Sequence, residues 1–122
     1  MLSVLKRCGM APVIADIGGE LNELQGLVGG LIEPVAIDTD TDMICNEEGK
    51  ILSLGMNFAL ENGAGDICDI ICGDAVFLGI DRKRGVFSGL SPEKAGNILD
   101  RLSREYLLTA GGDIIPVMKT EV

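Results

Sequence analysis

The sequence predicts an α+β fold with an antiparallel or mixed sheet of about five to seven strands and two main helices. Short apolar runs bounded by Gly, Pro, Asn and Asp recur along the chain, as strands and turns require. Two other segments carry apolar residues at helical period. Glycine supplies 17 of 122 residues, about twice the usual ~7%, so turns and strand kinks are frequent. The aromatic residues are Phe58, Phe77, Phe87 and Tyr106, so the core is aliphatic.

Residues 2–7 read as a first strand and residues 13–17 as a second, with a hairpin-length loop at 8–12. Gly18 and Gly19 open a short helix whose stripe is Leu21, Leu24, Leu27 and Val28. Glu20 and Glu23 stand in its first turn, where the helix dipole favours acid. Gly29 and Gly30 end it with a left-handed cap. Residues 31–37 form a β run containing Pro34, which cannot donate to a ladder, so this strand is an edge or is bulged. Residues 38–42 are a polar loop, residues 43–45 a strand, and Asn46, Glu47, Glu48 and Gly49 a tight turn. Residues 50–54 return as the hairpin partner of 43–45.

Residues 57–61 are expected to form a helical turn, followed by a loop at 62–65. The stretch 67–80 is the most apolar of the chain and reads as one strand bulged at Gly73 and Asp74. Apolar groups on both of its faces place it centrally, covered on both sides. A charged turn at 81–84 and a short strand at 85–87 follow. Ser91 and Pro92 start the second helix as N-cap and first helical residue. Its stripe is Ala95, Ile98, Leu99, Leu102 and Tyr106, and Gly111 and Gly112 stop it. Residues 1–108 are thus expected to be a single α+β domain, and 109–122 a C-terminal tail or edge strand.

Net charge is −9. Such a surface repels phosphate backbones, so direct nucleic-acid binding is disfavoured, and four aromatics leave little for base stacking. The charge is divided along the chain. Residues 16–81 hold fourteen acids and one base, Lys50, for −13, while the remainder holds five acids and nine bases, for +4. Either folding interleaves the two segments, or an acidic face is left for a basic partner. Neither a secretory signal nor an apolar run of ~18 residues occurs, so membrane association is not expected. Four cysteines without a signal read as reduced thiols of a cytoplasmic protein.

Several of these pieces stand in a recognisable order. Gly30-Leu31-Ile32-Glu33 follows the first helix, and Asn46-Glu47-Glu48-Gly49 follows a strand, with Asn57 eight residues beyond that glycine. Ile71-Cys72-Gly73-Asp74-Ala75-Val76 makes a core strand, and Leu90-Ser91-Pro92-Glu93 begins the last helix. In this order and spacing the chain resembles the bacterial and phage family catalogued as domain of unknown function 3846, from Leu2 to Leu102. The resemblance implies a small acidic protein of a bacterium, phage or mobile element and carries no activity with it. The chain departs from the family's usual Gly-Leu-Pro after the turn, since Ser53-Leu54-Gly55-Met56-Asn57 lacks the proline.

Histidine is absent, which excludes Ser-His and Cys-His hydrolysis and the commonest metal ligand. Asp38, Asp40 and Asp42 echo a calcium loop, but Met43 and Gly49 stand where that loop needs Gly and Glu, so a solvated acidic loop is expected. Cys68 and Cys72, four residues apart on a strand, lie about 13 Å apart, too far for one zinc or a disulfide. They read as buried core thiols. No metal ligand set, cofactor or catalytic group is therefore assigned.

The candidate binding residues are Asn46, Glu47, Glu48, Gly49 and Asn57. Two carboxylates and two amides can grip a basic or hydrogen-bonding partner. Alternatively, Asn and Gly serve the turn's backbone and the glutamates are merely solvated. The expected function is a non-catalytic acidic accessory or protein-binding module whose partner is another protein with a basic surface; a homo-oligomer is also compatible. The alternatives are a DNA-mimic inhibitor of a DNA-binding enzyme and a carboxylate-dependent metal enzyme.

Overall fold

The chain begins with an antiparallel hairpin, β1 (Leu2–Lys6) and β2 (Val13–Asp16), in register from Leu2 opposite Asp16 to Leu5 opposite Val13. The computed structural model describes residues 1–121. Helix α1 (Leu21–Val28) ends on Gly29, whose φ of 78° lets its N–H reach the Gln25 carbonyl. Leu24 and Val28 are buried, whereas Leu21 points to solvent, so the helix seats itself on the second half of its stripe.

Strands β3 (Ile32–Asp38) and β4 (Thr41–Asn46) form the next hairpin. Pro34 sits on the sheet edge, and the register also shifts between Ala36 and Asp38, so the proline strand is both edge and bulged. After β5 (Met56–Glu61) and β6 (Ile67–Cys72), strand β7 (Ala75–Asp81) returns between β1 and β4. Strand β8 (Val86–Ser88) pairs with the end of β7. Helix α2 (Pro92–Arg101), β9 (Tyr106–Leu108) and β10 (Ile114–Lys119) complete the chain.

The strands form two sheets. One has the order β2-β1-β7-β4-β3, with β8 on β7; the other has the order β6-β5-β10-β9. The second is mixed, since β10 runs parallel to β5 and antiparallel to β9. The class is therefore α+β with antiparallel and mixed sheets, as the sequence predicts.

Strand β7 explains the layering. Val76 and Leu78 pack with Leu24 and Val28 of α1 on one face. Ala75 and Phe77 pack on the other face with Ala95, Ile98 and Leu102 of α2 and with Phe58, Leu60, Ile71 and Met118 of the second sheet. The Phe58 and Phe77 rings meet across the sheets at 5.7 Å between centroids. This shared core joins both sheets.

Five local expectations fail. Residues 50–54 are a tight turn closed by Leu52 N–H to the Glu48 carbonyl and Leu54 N–H to the Gly49 carbonyl; both edges of β4 are already taken by β3 and β7. Residues 57–61 are strand, because β6 and β10 pair on either side of them. The run 67–80 is not one bulged strand. At Gly73, φ 89°, the chain leaves one sheet and enters the other.

The second helix stops at Arg101, not at the glycines. Ser103 Oγ donates to the Leu99 and Asp100 carbonyls there, and Tyr106 falls on β9, exposed. Residues 114–119 are neither tail nor edge; they lie between β5 and β9, with Val117 and Met118 buried. Among the described residues no helix is long and apolar enough to cross a membrane.

Candidate functional site

The turn after β4 is built on Asn46. Its side-chain N–H donates to the Val28 carbonyl at 3.1 Å, satisfying an open end of α1, and its Oδ1 accepts from Glu48 N–H at 2.8 Å. Glu47 N–H donates to the Leu31 carbonyl at 2.8 Å. Gly49 passes so close to β6 that a Cβ would stand 2.4 Å from the Cys72 carbonyl oxygen. Asn46, Glu47 and Gly49 line a cavity of about 290 Å³ with Glu33, Ile51 and the Lys50–Asp69 ion pair. The Glu47 and Glu48 side chains are exposed.

Asn57 is elsewhere. It is 1% exposed, and its Nδ2 donates to the Lys6 carbonyl at 2.6 Å and the Gly73 carbonyl at 2.9 Å. Its Oδ1 accepts from Lys6 Nζ at 2.9 Å. Lys6 follows Val4 on the face of β1 that meets the second sheet, so its side chain runs inward and is 3% exposed. Nζ also donates to the Arg7 carbonyl at 2.9 Å. Burial lowers the Lys6 pKa, and the charges of Cys8 and Asp74 oppose that shift. Lys6 and Asn57 together stand in a groove of about 590 Å³ between the 9–12 loop, the start of β5 and the 106–116 hairpin.

The candidate residues therefore divide between two places that share one backbone: Gly49 packs on Cys72 and Asn57 bonds to Gly73. Lys6 was not among them. It closes an apolar run at a strand end, where a lysine reads as solvated.

The acidic loop is also unlike its expectation. Asp38 and Asp42 are 2% and 5% exposed. Lys94 Nζ binds Asp38 at 3.1 Å and Asp40 at 3.3 Å, Arg101 reaches Asp38 at 3.5 Å, and Arg82 binds Asp42 at 2.9 Å. Arg82 donates also to the Asp38 and Thr39 carbonyls, at 2.7 and 3.0 Å. Burial pushes the Asp38 pKa up, but hydrogen bonds from Asp40, Thr41 and Lys94 outweigh it and hold the pKa at about 2. The acidic and basic segments of the sequence are interleaved here, and these carboxylates hold cationic side chains of the chain itself.

The cysteines are free thiols, and their environments differ. Cys45 is buried, and burial, then Glu33 and Asp69, push its pKa up to about 11. Cys68 and Cys72 are not the buried core thiols expected: on the edge strand β6, Cys68 is exposed and Cys72 is half-buried. A maleimide or disulfide reagent at neutral pH should modify Cys68 first and Cys45 last. The raised pKa alone leaves Cys45 about a hundredfold less thiolate. Equal rates at both, followed by mass spectrometry of peptides, would contradict this placement.

No curated protein and no solved structure matches the chain. The sequence profile of the family described as Domain of unknown function (DUF3846) matches residues 1–103. That stretch carries the first sheet, both helices, β5 and β6, with the Asn46 turn and the Lys6–Asn57 contact, and stops before β9 and β10. By a match over most of its length, the chain belongs to the DUF3846 family.

Proposed function

We propose that the chain is a non-catalytic protein-binding module that presents an acidic, apolar-studded face to a basic partner protein. One observation carries the reading: three carboxylates without an ion pair, Glu33, Glu47 and Glu48, stand together beside exposed aliphatic side chains. Asp38, Asp40, Asp42, Glu61 and Asp69 are each bound to a cation of the chain. Glu33, Glu47 and Glu48 make no ion pair among the described residues and are exposed. Leu31, Ile51 and Leu52, which are 55%, 80% and 53% exposed, stand among them. Glu33, Glu47 and Ile51 line one cavity, and backbone bonds tie Glu47 to Leu31 and Leu52 to Glu48.

Carboxylates steer and orient a cationic partner, and aliphatic groups supply desolvated contact at the centre. A DNA mimic needs an unbroken run of carboxylates at phosphate-like spacing. The aliphatic interruptions, and the diversion of Asp38 and Asp42 into the interior, favour a protein partner instead. The same diversion disfavours a carboxylate metal enzyme, whose ligands would have to be free of Lys94, Arg101 and Arg82.

Affinity capture from cell extract, eluted with rising salt, tests the reading. A directly bound basic protein should elute by about 0.5 M salt, because charge pairs at an interface rim are screened. Substituting Glu47→Ala with Glu48→Ala should weaken its binding about tenfold, ~1.4 kcal/mol. A partner held equally by both chains at every salt concentration refutes the proposal.

A further inference from the structure

The groove between the two sheets has a composition that selects a ligand of its own. Its floor is Lys6, whose ammonium can donate three hydrogen bonds. Two are made, to the Asn57 side-chain oxygen and the Arg7 carbonyl, both at 2.9 Å, and both acceptors are neutral. Among the described residues no carboxylate forms an ion pair with Nζ. Asp74 is held instead by the Cys8 N–H at 2.9 Å, and Asp113, which lines the groove, is exposed at the tip of the β9–β10 hairpin. Asp74 acts on the ammonium only from beyond ion-pair distance, and a buried ammonium with no carboxylate bonded to it is costly. The walls are Met10, Pro12, Met56, Tyr106, Ile114 and Pro116. Met10, Tyr106 and Ile114 are 58%, 57% and 68% exposed, an unusual loss of apolar burial around one hollow. The volume of about 590 Å³ falls within the ~300–1,000 Å³ of small-molecule sites.

We propose that this groove is a binding site for a small apolar monocarboxylate, with the carboxylate on Lys6 Nζ and the hydrocarbon along Met10, Met56, Tyr106 and Ile114. The carboxylate places a negative charge in direct contact with Nζ and accepts the third N–H. The hydrocarbon covers the exposed walls. Asn57 positions Lys6, since it fixes both the Nζ and the carbonyl of that residue. The groove shares no lining residue with the cavity beside Glu33 and Glu47, so this site stands apart from the acidic face.

Calorimetric titration at pH 7 with octanoate, 1-octanol, octylamine and acetate tests it. Octanoate should bind at least tenfold more tightly than 1-octanol, and neither octylamine nor acetate should compete with it. Ile114→Glu, at an exposed wall position, should weaken octanoate at least tenfold while leaving the melting temperature unchanged. Lys6→Met should abolish the preference of octanoate over octanol; the ligand series and Ile114→Glu decide the matter even if that variant fails to fold. The site is overturned if octanoate gives no heat up to ~10 mM, if octanol or acetate binds as well, or if Ile114→Glu binds octanoate normally.

Discussion

Replacing Asn57 with leucine should lower the stability of the chain by about 3 kcal/mol, the range found when one partner of a buried charged contact is removed. The side chain is 1% exposed and makes three hydrogen bonds, two to Lys6 at the end of β1 (Nζ and the carbonyl) and one to the Gly73 carbonyl at the crossing between sheets. Leucine has similar volume, so no cavity offsets the comparison. What it leaves is an ammonium with one acceptor in place of two, and two carbonyls short of a donor. Urea unfolding should show a lower midpoint at unchanged slope. The double variant Lys6→Met with Asn57→Leu should cost less than the sum of the single variants, because the orphaned charge goes with the lysine. An Asn57→Leu chain within about 0.5 kcal/mol of the original would mean that the clamp between the sheets carries no load.

Asp38→Ala should cost a similar ~3 kcal/mol, through a different mechanism. Asp38 is 2% exposed and draws Lys94 and Arg101 from α2 onto the β3–β4 hairpin. Arg101 in turn donates to the Lys119 carbonyl at 2.6 Å, so one carboxylate organises a helix, a hairpin and the last strand. Removing it leaves Arg101, whose side chain is 9% exposed, without its charge partner.

The acid dependence has a definite sign. The folded pKa of about 2 lies below the ordinary carboxylate value, so the unfolded chain binds the proton more readily. The contribution of Asp38 is complete above the unfolded pKa near 4 and is lost as pH falls through about 2. Asp38→Asn should flatten the stability profile in that window and leave the neighbouring pH range parallel to the original. Lys94 works at the other extreme. Burial lowers its pKa, but the bonds to Asp38 and Asp40 raise it overall, so its contribution is full at neutral pH and falls only above its ordinary value of 10.5. An unchanged acid limb in Asp38→Asn would remove the assignment.

What was legible in the sequence was what local chemistry decides. The Ser91–Pro92 start of α2 is visible because the hydroxyl that accepts the Lys94 N–H and the ring that fixes φ are consecutive residues. The Gly29 cap and the edge position of Pro34 are of the same kind. Residues 57–61 were opaque because their partners arrive from Ile67–Cys72 on one side and from Ile114–Lys119 on the other. Gly73 was ambiguous because a bulge and a passage between sheets both call for a glycine. In the candidate site, spacing pointed to Asn57 but could not reveal Lys6, whose burial depends on a strand 51 residues away. The acids at 38–42 read as solvated because their cations lie 40 to 63 positions further on.

The parallel pairing of Val117 with Ala59 has a consequence for biosynthesis. A ribosome releases β5 and β6 long before β10, so the nascent chain must hold a bare, aliphatic β5 flank until β10 emerges. That flank is a template for rogue strand addition, and closing it requires one of the longest loops in the molecule. The interval between the emergence of β5 and the docking of β10 is therefore the period of greatest hazard for this fold.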